Sequence, residues 1–190
     1  MRTRNICVGL TVSMLFVLGG VSPQVAAGED PWESHRFLEG EWEGEGSGKP
    51  GEGKGQFSFA FELQGKVLVR KNHSAYPATA GRPAIKHDDL MVVYRADGGK
   101  QIKAIYFDSE DHVINYTATV SEDKRTVTYV SDMVPAAPCY RLSYTKGKDA
   151  AVSIKFEIAP PDKPSAFKTY LEGTARRLDR AKSGPSKHKD

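Results

Sequence analysis

The chain has 190 residues, with 27 Lys and Arg against 24 Asp and Glu and a formal net charge of +3. So small an excess, with no basic stripe interleaved with aromatics, excludes the pattern of a nucleic-acid-binding surface. Two cysteines, Cys7 and Cys139, are too few for a disulfide framework, so a core must hold the fold together.

The N-terminus reads as an export signal. Arg2 and Arg4 precede the apolar run ICVGLTVSMLFVLGGV, and Pro23 and the small residues Val25, Ala26 and Ala27 follow it. This predicts a signal peptide over residues 1–27, cleaved after Ala27, and a periplasmic or secreted product. The run is short for a hydrocarbon core of about 30 Å, so no stable membrane insertion is expected after cleavage. Cys7 starts the run instead of following it, which argues against lipidation. Cleavage removes Arg2 and Arg4, leaving 25 basic against 24 acidic residues, and Cys139 as the lone thiol. The domain then covers residues 28–178, and the polar tail DRAKSGPSKHKD, residues 179–190, reads as disordered.

From residue 37 onward the pattern has period two. Phe57, Phe59 and Phe61 alternate with Ser58, Ala60 and Glu62, and Val152, Ile154, Phe156 and Ile158 with Ser153, Lys155 and Glu157. Such alternation predicts strands with one buried face. Ten runs qualify: 37–46, 55–63, 66–74, 89–96, 101–108, 111–120, 125–133, 139–145, 150–158 and 167–178. One helical turn around Pro31 to Arg36 is the only helix expected. Most spacers are short and rich in Gly, Asp or Ser, which suits hairpins and not parallel crossovers. Sequential antiparallel strands hide their two edges by closing, so the expected fold is a single all-β, antiparallel up-and-down barrel of about ten strands. A sandwich would need Greek-key connections, and only residues 75–88 and 159–166 are long enough.

Between the first two strands lies GEGSGKPGEGKG, residues 44–55, which fits G-x-G-x-x-G and nearly fits a P-loop. A phosphate cradle needs a helix N-terminus after the loop. Here an alternating strand follows, and Gly55 stands where a P-loop has Ser or Thr. The stretch therefore reads as a hairpin, with a loop expected from Lys49 to Lys54. Upstream, Leu38, Gly40, Trp42 and Gly44 share one face, and four glutamates, Glu39, Glu41, Glu43 and Glu45, occupy the solvent face.

Gly40-Glu41-Trp42 after a short N-terminal turn resembles the G-x-W element of lipocalin-like barrels. That resemblance implies an Arg from the last strand lying over the Trp, and here Arg176 or Arg177 is available. More broadly, LEGEWEGEG, FELQGKVLVRKNHSAYP, HDDLMVVYRADGG and AIYFDSEDHVINYT resemble a bacterial family of exported proteins of unknown function, similar to lipocalin-like and nitrobindin-like (calycin-like) barrels. The likeness covers roughly residues 36–178. Nitrobindins imply a haem ligated by a His of the C-terminal strands. Tyr170 falls at that place, and no His lies between His112 and His188. No cofactor is therefore expected, with haem as the alternative.

The candidate ligand-binding residues are Arg70, His73, His87, Tyr106, Asp108, His112 and Tyr116. His73, His87 and His112 lack the short spacing of a metal site, so no metal is expected. His35 and His188 read as solvated. Lys86 to Asp89 reads as a polar rim loop, in which His87 with Asp88 or Asp89 offers a general base if the protein is an enzyme. Cys139 reads as a small buried hydrophobe. Around Tyr106 the inward parity stays open, because Ile102, Ala104 and Tyr106 and also Ile105 and Phe107 are apolar. No nucleophile elbow or zinc-protease motif occurs, so no catalytic residue is assigned. A barrel of this size leaves room for one small ligand. The function expected is binding of a small hydrophobic or amphipathic molecule, with a haem barrel or a His87 enzyme as alternatives.

Overall fold

A computed structural model describes residues 30–178, so the expected signal peptide and the tail expected to be disordered lie outside the described residues. Within them are ten strands: β1 (Gly40–Gly48), β2 (Gly53–Glu62), β3 (Val67–Tyr76), β4 (Ile85–Ala96), β5 (Gln101–Asp108), β6 (Val113–Val120), β7 (Thr126–Ser131), β8 (Cys139–Lys146), β9 (Ala151–Ala159) and β10 (Lys168–Arg177). Each pairs antiparallel with its chain neighbours, and β10 returns to β1, closing an up-and-down barrel. No helix among these residues is long and apolar enough to cross a membrane.

The closing seam explains the glycines. Gly44 faces Ala175 and Gly46 faces Gly173 across β1 and β10, while on the other side of β1 Gly55 faces Gly44 and Gly53 faces Gly46 from β2. A Cβ on Gly46 would lie 2.7 Å from the carbonyl oxygen of Glu172, and one on Gly173 would lie 2.6 Å from that of Glu45. The strands curve so tightly here that only hydrogen fits at the inward position. GEGSGKPGEGKG is thus mostly strand: β2 begins at Gly53, leaving residues 49–52 as its turn.

One end of the barrel is filled. Trp42, Phe59, Leu68, Met91, Val127, Tyr129 and Tyr144 are all buried there. A 3-10 helix, Glu33–Leu38, caps that end, longer than the single expected turn and displacing the start of β1 from residue 37 to Gly40. Trp32 fastens the cap by donating to the Gly65 carbonyl at 2.9 Å, and its ring meets Phe61 edge-on. Trp42 donates to the Leu38 carbonyl at 2.7 Å. Of the two candidate arginines, Arg177 lies over the Trp42 ring at 4.5 Å and donates to the carbonyls of Phe37 and Glu39. Arg176 is exposed. Gly40 is needed at its place: its φ is +123°, and a Cβ would collide with the Arg177 guanidinium.

His35, expected in solvent, is instead fully buried on the inner side of this cap, with its ring against Trp32 and Tyr129. Its Nε2 has no partner, and burial pushes its pKa down to about 4. The folded state holds His35 neutral, whereas the unfolded chain protonates near 6.5, so stability is lost as pH falls from 6.5 through 4. From pH 7.5 to 4.5 this one group is expected to remove about 2–3 kcal/mol. The difference between wild type and His35→Leu in urea unfolding at the two pH values measures it.

Candidate functional site

The other half of the barrel is hollow. A cavity of about 500 Å³ lies between two chemically different walls. β8, β9 and β10 supply Tyr140, Leu142, Ile154, Phe156, Ile158 and Leu171. Tyr140 stacks on Phe156, and Tyr170 meets Phe156 edge-on. Between this apolar wall and the polar one opposite runs the glycine strip of Gly44, Gly46, Gly53, Gly55 and Gly173, which adds no side-chain bulk.

The polar wall comes from β3 to β6. On β4 the alternation His87, Asp89, Met91, Val93 continues upstream past the point where polarity suggested a loop. Lys86 to Asp89 is therefore strand, not rim loop, because Ser74, His73 and Asn72 of β3 pair with His87, Asp88 and Asp89. This phase turns His87 and Asp89 inward and Lys86 and Asp88 outward. It also sends His73 outward: it pairs with Asp88 on the exposed face and does not line the cavity. On β5 the open parity resolves in favour of Ile102, Ala104, Tyr106 and Asp108 facing in, with Phe107 exposed.

Asp89 organises the wall. Its side chain is 3% exposed and forms an ion pair with the buried Arg70. Asn72 donates to its Oδ2 at 2.9 Å, and His87 Nε2 lies 3.4 Å from the same oxygen. His87 also meets the Tyr106 hydroxyl at 3.0 Å through Nε2 and Glu110 at 3.2 Å through Nδ1. The hydrogen bond to Asp89, assisted by Glu110 and opposed by burial, raises the His87 pKa to about 8. His87 is then mostly protonated at neutral pH. Burial is the strongest influence on the Arg70 charge and opposes it, but Asp89 together with Tyr144, Tyr106 and Tyr116 turns the net shift upward. Burial likewise raises Tyr106 and Tyr116 and pushes Tyr144 up to about 12, so these hydroxyls remain neutral donors.

At the end of β5, Asp108 Oδ1 accepts the backbone N–H groups of Glu110 at 2.9 Å and His112 at 3.0 Å. His112 Nδ1 lies 2.9 Å from Oδ2. Burial opposes ionisation of Asp108, but these donors prevail and lower its pKa. Deeper in, the Nε of Arg70 and the hydroxyls of Tyr129 and Tyr144 are buried without hydrogen-bond partners. The fold thus brings Arg70, His87, Tyr106, Asp108, His112 and Tyr116 to one cavity and leaves His73 outside. Asn72, Asp89 and Glu110 join them. Asp89 sits where the β4 alternation runs back into a stretch that composition marks as loop, and Glu110 depends on a turn geometry that composition does not reveal. Cys139 is buried at the start of β8 and is a free thiol.

A closed ten-strand antiparallel up-and-down barrel, hollow at one end and plugged at the other, is the class this architecture defines. No family model and no curated protein matches the chain. Among solved structures, the crystal structure of Rv2717c from M. tuberculosis is similar, with a TM-score of 0.53 and 15% identity over 78% of this chain and 98% of that one. A de novo designed fluorescence-activating β-barrel aligns with a TM-score of 0.36 and 12% identity over 75% of this chain and 95% of its own. At these identities the likeness concerns the fold alone.

Proposed function

We propose that this chain is an exported barrel that binds one small amphipathic molecule, its polar side against the Arg70, Asp89 and His87 wall and its apolar side against β8 to β10. The observation that carries this reading is the two-faced cavity of about 500 Å³, a size typical of small-molecule sites. Arg70, Asn72, His87, Asp89 and Tyr106 line this wall together and offer a ligand's polar group both donors and acceptors. Export of the mature domain remains part of the proposal and rests on the pattern of residues 1–27.

The alternatives fit the residues less well. Among the described residues β8, β9 and β10 carry no histidine, and the cavity histidines sit away from that wall, His87 engaged by Asp89, Tyr106 and Glu110 and His112 by Asp108. This arrangement does not match the histidine-bearing wall that the nitrobindin likeness implies, so no haem step is derived. As a general base His87 is poorly placed, because its proton is held up to about pH 8.

Filling the cavity tests the reading. Ile154→Trp points a large ring into the apolar wall, and it is expected to weaken binding of an environment-sensitive fatty-acid-like dye at least tenfold with the fold retained by circular dichroism. Equal dye affinity in the two proteins would sink the proposal. Haem added in parallel is expected to give no shift of its Soret band.

A further inference from the structure

At the mouth of the cavity, His87, Asp108 and Glu110 each offer a ligand atom, and these atoms all lie within 4.8 Å of one another. The three come from separate places: the start of β4, the end of β5 and the turn that follows it. We propose that they form a binding site for one divalent first-row transition-metal cation, with Zn²⁺ the best match.

Two of the three ligands are held in position by partners that leave a donor atom available. Asp108 is 4% exposed at its side chain, and its Oδ1 is fixed by two backbone N–H groups while Oδ2 meets only His112. His87 turns Nε2 toward the Tyr106 hydroxyl and the Asp89 carboxylate, leaving Nδ1 directed at Glu110. A metal-bound imidazole commonly gives its second nitrogen to a carboxylate, which fixes the ring and strengthens the ligand. Here that carboxylate, Asp89, is itself anchored by Arg70 and Asn72. The relay Arg70, Asp89, His87 is thus an outer shell already assembled around a ligand nitrogen.

The third ligand supplies the adjustment. Metal–ligand bonds of about 2.0–2.1 Å place tetrahedral ligand atoms roughly 3.4 Å apart, so the group must contract. Glu110 sits in a turn with its side chain 53% exposed and is free to swing inward. One imidazole with two carboxylates suits zinc, manganese, iron or cobalt; a soft cation would want sulfur, and calcium more oxygens. All three residues line the cavity, so the remaining coordination positions open onto it. The site stands whether or not an amphipathic molecule binds.

The test uses the full mature chain, stripped with chelator and titrated with Co²⁺ by absorbance and with Zn²⁺ by calorimetry. One equivalent is expected to bind in the micromolar range or tighter. Glu110→Gln, at an exposed position that does not threaten folding, is expected to weaken binding at least tenfold, as is His87→Gln. His73→Gln, on the outer face, is expected to change nothing. Absence of saturable binding up to millimolar metal overturns the proposal. So does wild-type affinity in either the Glu110 or the His87 variant, or an equal loss in His73→Gln.

Discussion

Arg70→Met is expected to destabilise the barrel by about 3–5 kcal/mol, measured by urea unfolding at pH 7. The side chain is 8% exposed and its partner Asp89 3%, so removing the cation strands a carboxylate inside the barrel. Asn72 and the partly exposed, protonated His87 stay beside Asp89 and offset part of that loss. The double variant Arg70→Met with Asp89→Leu removes both ions, and it is expected to recover most of the stability because neither charge is then left alone. The same double variant should abolish the polar side of ligand recognition. Stability and binding are thereby separable: the single variant loses both, and the double variant regains only the first. A double variant no more stable than the single one would show that the pair does not act as a unit.

Trp42→Ala is expected to cost about 3–5 kcal/mol, as a large aromatic leaves a cavity at the plugged end. Trp42 is 1% exposed, stacks on Phe57 at a centroid separation of 6.0 Å and holds the cap through Leu38. Trp42→Phe retains much of the packing but loses the hydrogen bond to Leu38, and about 1–2 kcal/mol is expected. Arg177→Ala should cost about 1 kcal/mol, because its guanidinium lies near the surface. A double-mutant cycle between Trp42 and Arg177 is expected to show a coupling of roughly 0.5–1 kcal/mol. Additive effects would mean that the 4.5 Å stacking contributes nothing beyond the separate contacts of each residue.

Much of this architecture was legible because period-two alternation reports one buried face per strand. Phe57, Phe59 and Phe61, or Val152 and Ile154, state their phase without help from elsewhere in the chain. The errors fall where polarity and burial part company. Lys86 to Asp89 looks like a loop by composition, yet pairing with β3 carries it into β4 and turns Asp89 toward Arg70. His35 looks like a solvent residue ahead of the first strand, yet the 3-10 cap folds it against Tyr129 of β7. In both cases a partner distant in sequence decides the environment.

The glycine-rich stretch shows the converse. Its motif resembles a phosphate cradle locally, and only the strand after it excludes that reading. What the residues cannot reveal alone is the reason for so many glycines. The curvature at the β1–β10 seam brings the Cβ positions against the neighbouring backbone, and the same absence of side chains leaves one side of the cavity bare. Residues that close the barrel thus also shape the space inside it.

Native mass spectrometry of residues 28–190, mixed with a lipid and small-molecule extract of the source cells, tests the central claim most directly. The account predicts one adduct per chain that survives gentle ionisation, released on denaturation as a single amphipathic species and absent from the Ile154→Trp variant. A bare polypeptide mass under every extract, or an adduct that Ile154→Trp retains undiminished, would contradict it.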